Sequence, residues 1–199
     1  MGKKILVVDA GGRGNAMAHA FSKSEEVDKV FVAPGNAGVH EFGGENLPLQ
    51  GDTKEEMVSD LLDKAMAIDI DLVVPGPEGW ISAGVVDSFR ENTDIPIVGP
   101  TREAAFLETS KCDAKDYLSS IEVYVPEYEN FEDPEKAKNW AERFYEENPE
   151  KDLVPKADGI AAGKGAFVCS SLGEVKSSID KIASDEFNDE YNGAGERIE

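Results

Sequence analysis

Basic residues are scarce in this chain: 20 Lys and Arg stand against 41 Asp and Glu, leaving a formal net charge of −21. So acidic a chain repels the phosphate backbone of nucleic acids, which sets nucleic-acid binding aside. A small anionic ligand is still allowed, because a few local cations and backbone N–H groups outweigh distant charge. Cysteine is almost absent. Cys112 and Cys169 lie far apart and match no metal-ligand spacing, so at most one disulfide can form, and a reduced, cytoplasmic protein is the expectation. The only histidines, His19 and His40, have no partner pattern, which leaves Ser-His-Asp and Cys-His catalysis without support. Long apolar runs are missing as well. The N-terminal one covers only about five residues, too short for a signal peptide or a membrane span. No internal repeat or low-complexity tract interrupts the 199 residues.

What is present reads as an ordinary globular composition, 40% hydrophobic and 31% charged, in one or two domains. The first half alternates two periods. KILVVD (4–9) is a continuous apolar run ending at glycines, as a buried parallel strand should be. A helix with Ala16, Met17, Ala20 and Phe21 on one face follows, then a strand over 29–36. Thr53 and Glu56 form a capping box for a helix that turns Met57, Val58, Leu61, Leu62, Ala65 and Ile68 inward. Residues 70–78 read as strand then loop, Val85, Val86 and Phe89 mark another helix, and 95–100 another strand. This rhythm predicts an α/β fold with a doubly wound parallel sheet, whose ligands bind beyond the carboxyl ends of the strands.

The second half has a different pattern. A helix is predicted over 103–119 with Lys111 and Lys115 on one face. Asp133 caps a helix with Pro134 at its first position and Ala137, Trp140, Ala141 and Phe144 as its buried stripe. DLVPKADG and GAFVCS are two apolar runs joined by a glycine-rich loop, a hairpin-like pair. Ser171 and Glu174 open a helix that faces Val175, Ile179 and Ile182 inward. The polar stretch 185–199 is expected to be mobile.

Three features bear on chemistry. KADGIAAGKG (156–165) places Gly159, Gly163 and Gly165 where a backbone must approach phosphate closely, with Lys156 and Lys164 supplying charge. A Walker loop needs four residues between its glycines, a hydroxyl after the lysine and a helix to follow; this loop has none of these. The alternative is a flexible turn with solvated lysines. AGGRGNA (10–16) lacks the last glycine of a dinucleotide fingerprint, since Met17 stands there, and no acidic residue follows the second strand. It leaves a helix N-terminus with Gly11, Gly12 and Arg13, suited to a lone phosphate, or a tight strand–helix turn. PGNAG (34–38) and PGPE (75–78) follow two other strands, so all three loops should gather at one sheet edge, with Asn36 and Glu78 as polar contacts.

Together, VVDAGGRGNA, VFVAPGNAG, DLVVPGPE, GVVDSFR, IVGPTREAAFLETSK and KADGIAAGKG resemble phosphoribosylamine–glycine ligase, an ATP-grasp family of purine biosynthesis, over essentially the whole chain. The resemblance implies an N-terminal domain over 1–100 that helps to bind phosphoribosylamine through Gly11, Gly12, Arg13, Asn15, Gly35, Asn36, Pro77 and Glu78. It implies the first part of an ATP-grasp fold over 101–199, with a truncated small ATP lobe from about 123. Lys111, Lys156, Asp158, Gly159, Ala161, Ala162, Gly163, Lys164 and Gly165 would then bind ATP. The implied reaction forms an acyl phosphate from glycine and ATP, which the amine of phosphoribosylamine attacks; positioning and charge neutralisation carry such chemistry. The Mg²⁺ carboxylates and the glycine site fall outside this stretch of the family's longer chain, so no metal ligands are expected here, and a second chain is a possible source of the remainder. The chain departs from the family at Gly14 and Asn15 (usually Glu and His), at Gly79-Trp80-Ile81, at Thr109 and at Pro155. Two other readings stay open: a non-catalytic nucleotide or sugar-phosphate binder, and an ATP-grasp ligase for a different amine.

Overall fold

A computed structural model of the protein describes residues 2–199. Contacts divide the chain into two compact units, Met1–Ala105 and Phe106–Glu199.

The first unit is built on a parallel sheet in the order β3-β2-β1-β4, with β1 at Lys3–Asp9, β2 at Val27–Pro34, β3 at Glu45–Asn46 and β4 at Leu72–Pro75. Val7 lies opposite Val32 on one side and Val74 on the other. Because successive side chains alternate faces, each strand feeds two cores. Leu6, Val8, Phe31 and Ala33 pack with Val58, Leu61 and Ala65 of α2 (Lys54–Ala67), Trp80 of α3 (Glu78–Ser82) and Val85, Val86 and Phe89 of α4 (Val85–Asn92). Val7, Val30 and Val32 pack on the other face with Ala18 of α1 (Gly12–Ser22) and Val39 of a short 3-10 turn, Ala37–Phe42. Helices therefore cover both faces, as a doubly wound sheet requires, and the Thr53–Glu56 capping box forms as expected.

Three details differ from the sequence expectation. Residues 95–100 make only a single bridge, Val73 to Ile97, because Pro96 has no N–H to donate and Gly99 and Pro100 break the run. On α1, Ala16 and Ala20 are exposed; Gly14 and Ala18 are the buried positions, with Met17 and Phe21 packed beside them. The short strand β3, two residues long, carries too little pattern to be read in advance.

The second unit holds α5 (Phe106–Thr109), α6 (Lys111–Ser120), α7 (Pro134–Glu147), α8 (Leu172–Ile182) and α9 (Asp185–Glu190). The helix predicted over 103–119 is thus broken, since Ser110 caps α6 by accepting the Asp113 N–H at 3.0 Å. Asp133 and Ser171 cap α7 and α8 as expected. Antiparallel bridges join Phe131 to Ile198, Ile198 to Ala157, Lys156 to Ala166 and Leu153 to Cys169. One face of these segments carries a core of Ala137 and Ala141 from α7 and Val175, Ile179 and Ile182 from α8, together with Ala157, Cys169 and Ile198. The stretch 185–199 is correspondingly not a loose tail. Phe187, Ala194 and Ile198 are buried in that core, so apolar burial anchors a segment whose composition looks polar.

Candidate functional site

At the carboxyl edge of the first unit's sheet the three loops do converge. The Arg13 guanidinium donates to the Gly76 carbonyl at 2.9 Å and stands 3.8 Å from the Glu78 carboxylate. Asn36 donates through Nδ2 to the Ala10 carbonyl at 3.1 Å and accepts the Gly38 N–H at 2.9 Å. Its amide therefore staples two loops together, and the sugar-binding role read for it would require those bonds to open. Asn46, which no sequence signal marked, exchanges hydrogen bonds with the Asn36 backbone. Gly35 has φ +82° and a Cβ there would strike the Asn46 side chain, so glycine is required by the turn itself. Gly11, Gly12 and Arg13 are exposed, Pro77 caps α3, and the amides of Gly12, Arg13 and Gly14 have no protein acceptor among the described residues. Such a helix start favours an anion. The Asn15 Oδ1 is buried without a partner.

Beneath this loop sits a residue the sequence reading passed over. Asp9, only 6% exposed, ends β1 and accepts the Gly11 N–H at 2.7 Å. A Cβ on Gly14 would collide with the Asp9 Cβ and lie 2.9 Å from its Cγ; one on Gly76 would lie 3.1 Å from both atoms. Two glycines thus clear space for one buried acid. A charged residue closing an otherwise apolar strand was the available signal.

In the second unit, KADGIAAGKG is the tip of a β-hairpin. Lys164 N–H donates to the Ala161 carbonyl at 2.7 Å, and Ala162 and Gly163 between them have φ +47° and +78°. Two consecutive positive φ values with this bond are the pattern of a type I′ turn, which matches the twist of the flanking strands. Gly163 is open to solvent, whereas a Cβ on Gly159 would lie 2.9 Å from Ala194 Cα and one on Gly165 would lie 2.8 Å from Ala161 Cβ. The three glycines have separate causes: a turn at Gly163, close chain packing at Gly159 and Gly165. Replacing Ala162 with glycine should relieve the left-handed backbone and stabilise the hairpin by about 1 kcal/mol; equilibrium denaturation checks this, and a loss of stability would contradict the turn assignment.

The cations around the hairpin are already engaged. Lys111 Nζ donates to the carbonyls of Asp158 and Gly159 at 3.1 and 2.9 Å. Burial pushes its ammonium below the usual lysine range, against the opposing pull of Asp158 and Glu199. Lys115 and Lys156 share the buried Glu199 carboxylate at 2.9 and 2.7 Å. Asp158, 8% exposed, accepts the Ser110 hydroxyl at 3.0 Å and the Cys112 N–H at 2.8 Å, and faces Arg197 at 3.4 Å. It occupies the N-terminus of α6, where a carboxylate is favoured. Burial, then the Asp158 charge, raises the Cys112 thiol to about 12, so this cysteine is inert. Of the lysines in the loop, Lys164 is exposed and has no side-chain partner among the described residues. Ser110, Arg197 and Glu199 carried no signal, and Lys115 was placed beside Lys111 without its partner, because pairing across distant segments leaves no local spacing. Among the described residues no three His, Cys, Asp or Glu converge as a metal site, and no helix is long and apolar enough to cross a membrane.

Comparison with known proteins bears on both units. The model of the phosphoribosylglycinamide synthetase N domain matches residues 3–108, and that of the family's ATP-grasp (A) domain matches residues 109–198. The chain is 43% identical to a phosphoribosylamine–glycine ligase of Archaeoglobus fulgidus, over 98% of this chain and 40% of that protein. The corresponding figures for the Escherichia coli (strain K12) ligase are 41%, 98% and 43%. The crystal structure of the Thermotoga maritima ligase superposes with a TM-score of 0.71 at 25% identity, covering 98% of this chain and 42% of that one. A biotin carboxylase domain from Hydrogenobacter thermophilus, solved with magnesium ADP, shares the fold at a TM-score of 0.70 and 17% identity. The chain spans less than half the length of these relatives. It belongs to the phosphoribosylglycinamide synthetase family, carrying the family's N domain and its ATP-grasp (A) domain.

Proposed function

We propose that this chain contributes the N-terminal domain and part of the ATP clamp to the ATP-dependent ligation of glycine to phosphoribosylamine, yielding glycinamide ribonucleotide, ADP and phosphate, in the cytoplasm. The observation that carries this reading is the pairing of a helix start with free amides beside Arg13 in one unit with a lysine-bearing hairpin in the other, each within the matching family domain. The sugar phosphate would lie on Gly11, Gly12 and Arg13, with Pro77 and Glu78 at its rim and Gly35, Asn36 and Asn15 behind. ATP phosphates would lie under Ala161, Ala162, Gly163, Lys164 and Gly165. Lys164 would meet them directly. Lys111, Lys156, Asp158 and Gly159 would shape the floor, and Lys156 would exchange Glu199 for phosphate. ATP is the energy source, and Mg²⁺ would be held by carboxylates outside these residues, on the remainder of the ligase.

The test is ADP release with glycine, phosphoribosylamine and Mg-ATP. The 199-residue chain is expected to show none; mixed with the remaining part of a relative's ligase, it should turn over. In that assembly Lys164→Ala and Lys156→Ala should each weaken ATP binding about tenfold, the loss of one charged phosphate contact. Turnover by the chain unaided, or ATP affinity unchanged in both variants, would sink the assignment. A second reading, a different amine substrate, draws on the buried Asp9 carboxylate packed against Gly14 at the start of α1. Profiling amines in the same assay separates the two.

A further inference from the structure

Two acids are buried among the described residues, Asp9 and Asp158. Asp158 spends both carboxylate oxygens within the fold. Asp9 does not. Its Oδ1 accepts the Gly11 N–H at 2.7 Å, while its Oδ2 has neither a hydrogen-bond donor nor an ion-pair partner among the described residues. Burying half of a carboxylate without a partner costs free energy, and nothing in the packing of the first unit recovers it. The free oxygen is also kept accessible. It retains contact with solvent, unlike the buried Oδ1 of Asn15. A Cβ on Gly76 would lie 2.5 Å from Oδ2 and one on Gly14 would lie 3.1 Å from it, so glycine at both positions leaves its approach clear.

The position in the sheet adds a second argument. The order β3-β2-β1-β4 puts β2 and β3 on one side of β1 and β4 on the other, so the winding reverses between β1 and β4. Such a switch point leaves a crevice beyond the carboxyl ends of the strands, where open α/β sheets take their ligands. Asp9 ends β1 there, and Gly76, the residue after β4, lies against it. The free amides of Gly12, Arg13 and Gly14 and the Arg13 guanidinium stand at the same edge. A group of anion-binding donors and an unpaired carboxylate oxygen are therefore neighbours. A simple phosphate is drawn by the first and repelled by the second. A ligand with phosphate at one end and hydroxyls a few bonds away satisfies both.

We propose that Asp9 Oδ2 accepts a hydrogen bond from a ring hydroxyl of the sugar whose phosphate lies at the start of α1, which makes Asp9 a specificity-determining residue. The inference rests on the reading of this edge as a sugar-phosphate site. A hydroxyl brings one proton to the one free oxygen. An ammonium would bring three to a niche walled by glycine backbone.

The test is calorimetric titration of the 199-residue chain with ribose 5-phosphate, its 2-deoxy and 3-deoxy analogues, and methyl phosphate. The parent should prefer ribose 5-phosphate to one of the deoxy analogues about tenfold, the worth of one hydrogen bond to a charged acceptor. Asp9→Asn keeps the side-chain size and an acceptor for the Gly11 N–H, and sets an amide NH₂ where Oδ2 stands. It should abolish that preference while methyl phosphate binds at least as well as in the parent, because a repelling charge has gone. Gly76→Ala, which puts a methyl group over Oδ2 with Asp9 intact, should abolish the preference too. Undiminished preference in Asp9→Asn would overturn the proposal and leave the site reading standing. So would a parallel loss of methyl phosphate binding, which would make Asp9 a support of the loop and not a contact of the sugar. A parent chain that binds methyl phosphate and sugar phosphates with equal affinity, or binds none of them, would remove the site reading together with the proposal.

Discussion

Asp158→Ala is expected to lower the stability of the second unit by about 3 kcal/mol, the scale for removing one partner of a largely buried charged network. The carboxylate holds three groups at once: the Ser110 hydroxyl, the Cys112 N–H and the Arg197 guanidinium. Its removal strips the α6 N-terminus of an acceptor in a place with little solvent to replace it, since Cys112 is fully buried. Arg197 keeps Asp113 at 2.8 Å, and Lys111 keeps its two carbonyls, so the unit should still fold. The midpoint should fall by roughly 12 °C or more for a unit of this length, with hydrogen exchange accelerating first at Cys112 and Ala114. Asp158→Asn retains one acceptor oxygen and should lose less. A midpoint within a degree or two of the parent would show that the acid serves a ligand and not the fold.

The second large effect is expected at Gly14→Ala. The new methyl group would occupy the space of the Asp9 side chain, whose Cβ is fixed by the strand and cannot rotate away. Overpacking of this kind costs about 2 kcal/mol. Asp9→Gly, made alone, loses the Gly11 bond and adds a strand glycine, so it too is destabilising. Made together, the two changes should be less harmful than their sum, with a coupling of about 2 kcal/mol. Simple additivity in equilibrium denaturation would show that the two positions do not compete for space. A glutamate at position 14 should be excluded for the same reason, and Asp9→Gly is the change that would admit it.

Much of this architecture was legible in local pattern. Continuous apolar runs identified β1, β2 and β4, and helical spacing identified the inward faces of α2, α7 and α8. Thr53, Asp133 and Ser171 marked helix starts because a side-chain oxygen serves the orphan amides of the first turn. Loop convergence at one sheet edge followed from parallel topology alone. Errors arose where competition was local and short. Ser110 interrupts what looks like one helix, Pro96 and Gly99 undo a strand, and the phase of α1 is set by Gly14 and Ala18, which carry almost no hydrophobic signal. The site was legible as a set of residue types and not as a set of roles. Lys111, Lys156 and Asp158 were read as facing a nucleotide; in the structure their charges are spent on one another's segments and on Glu199.

The sequence by itself determined the fold class, the helix caps and the glycine-and-lysine chemistry of the 156–165 loop, because each depends on residues within a few positions of one another. Tertiary structure decided which of those groups is free to act. Whether a lysine meets solvent or a carboxylate, whether a glycine serves a turn or a neighbouring chain, and whether a polar tail is loose or anchored by Ile198 all depend on segments brought together from far apart. Only after that assembly did Gly159, Gly163 and Gly165 acquire different reasons for being glycine, and Lys164 stand out as the exposed cation of the loop, without a side-chain partner among the described residues.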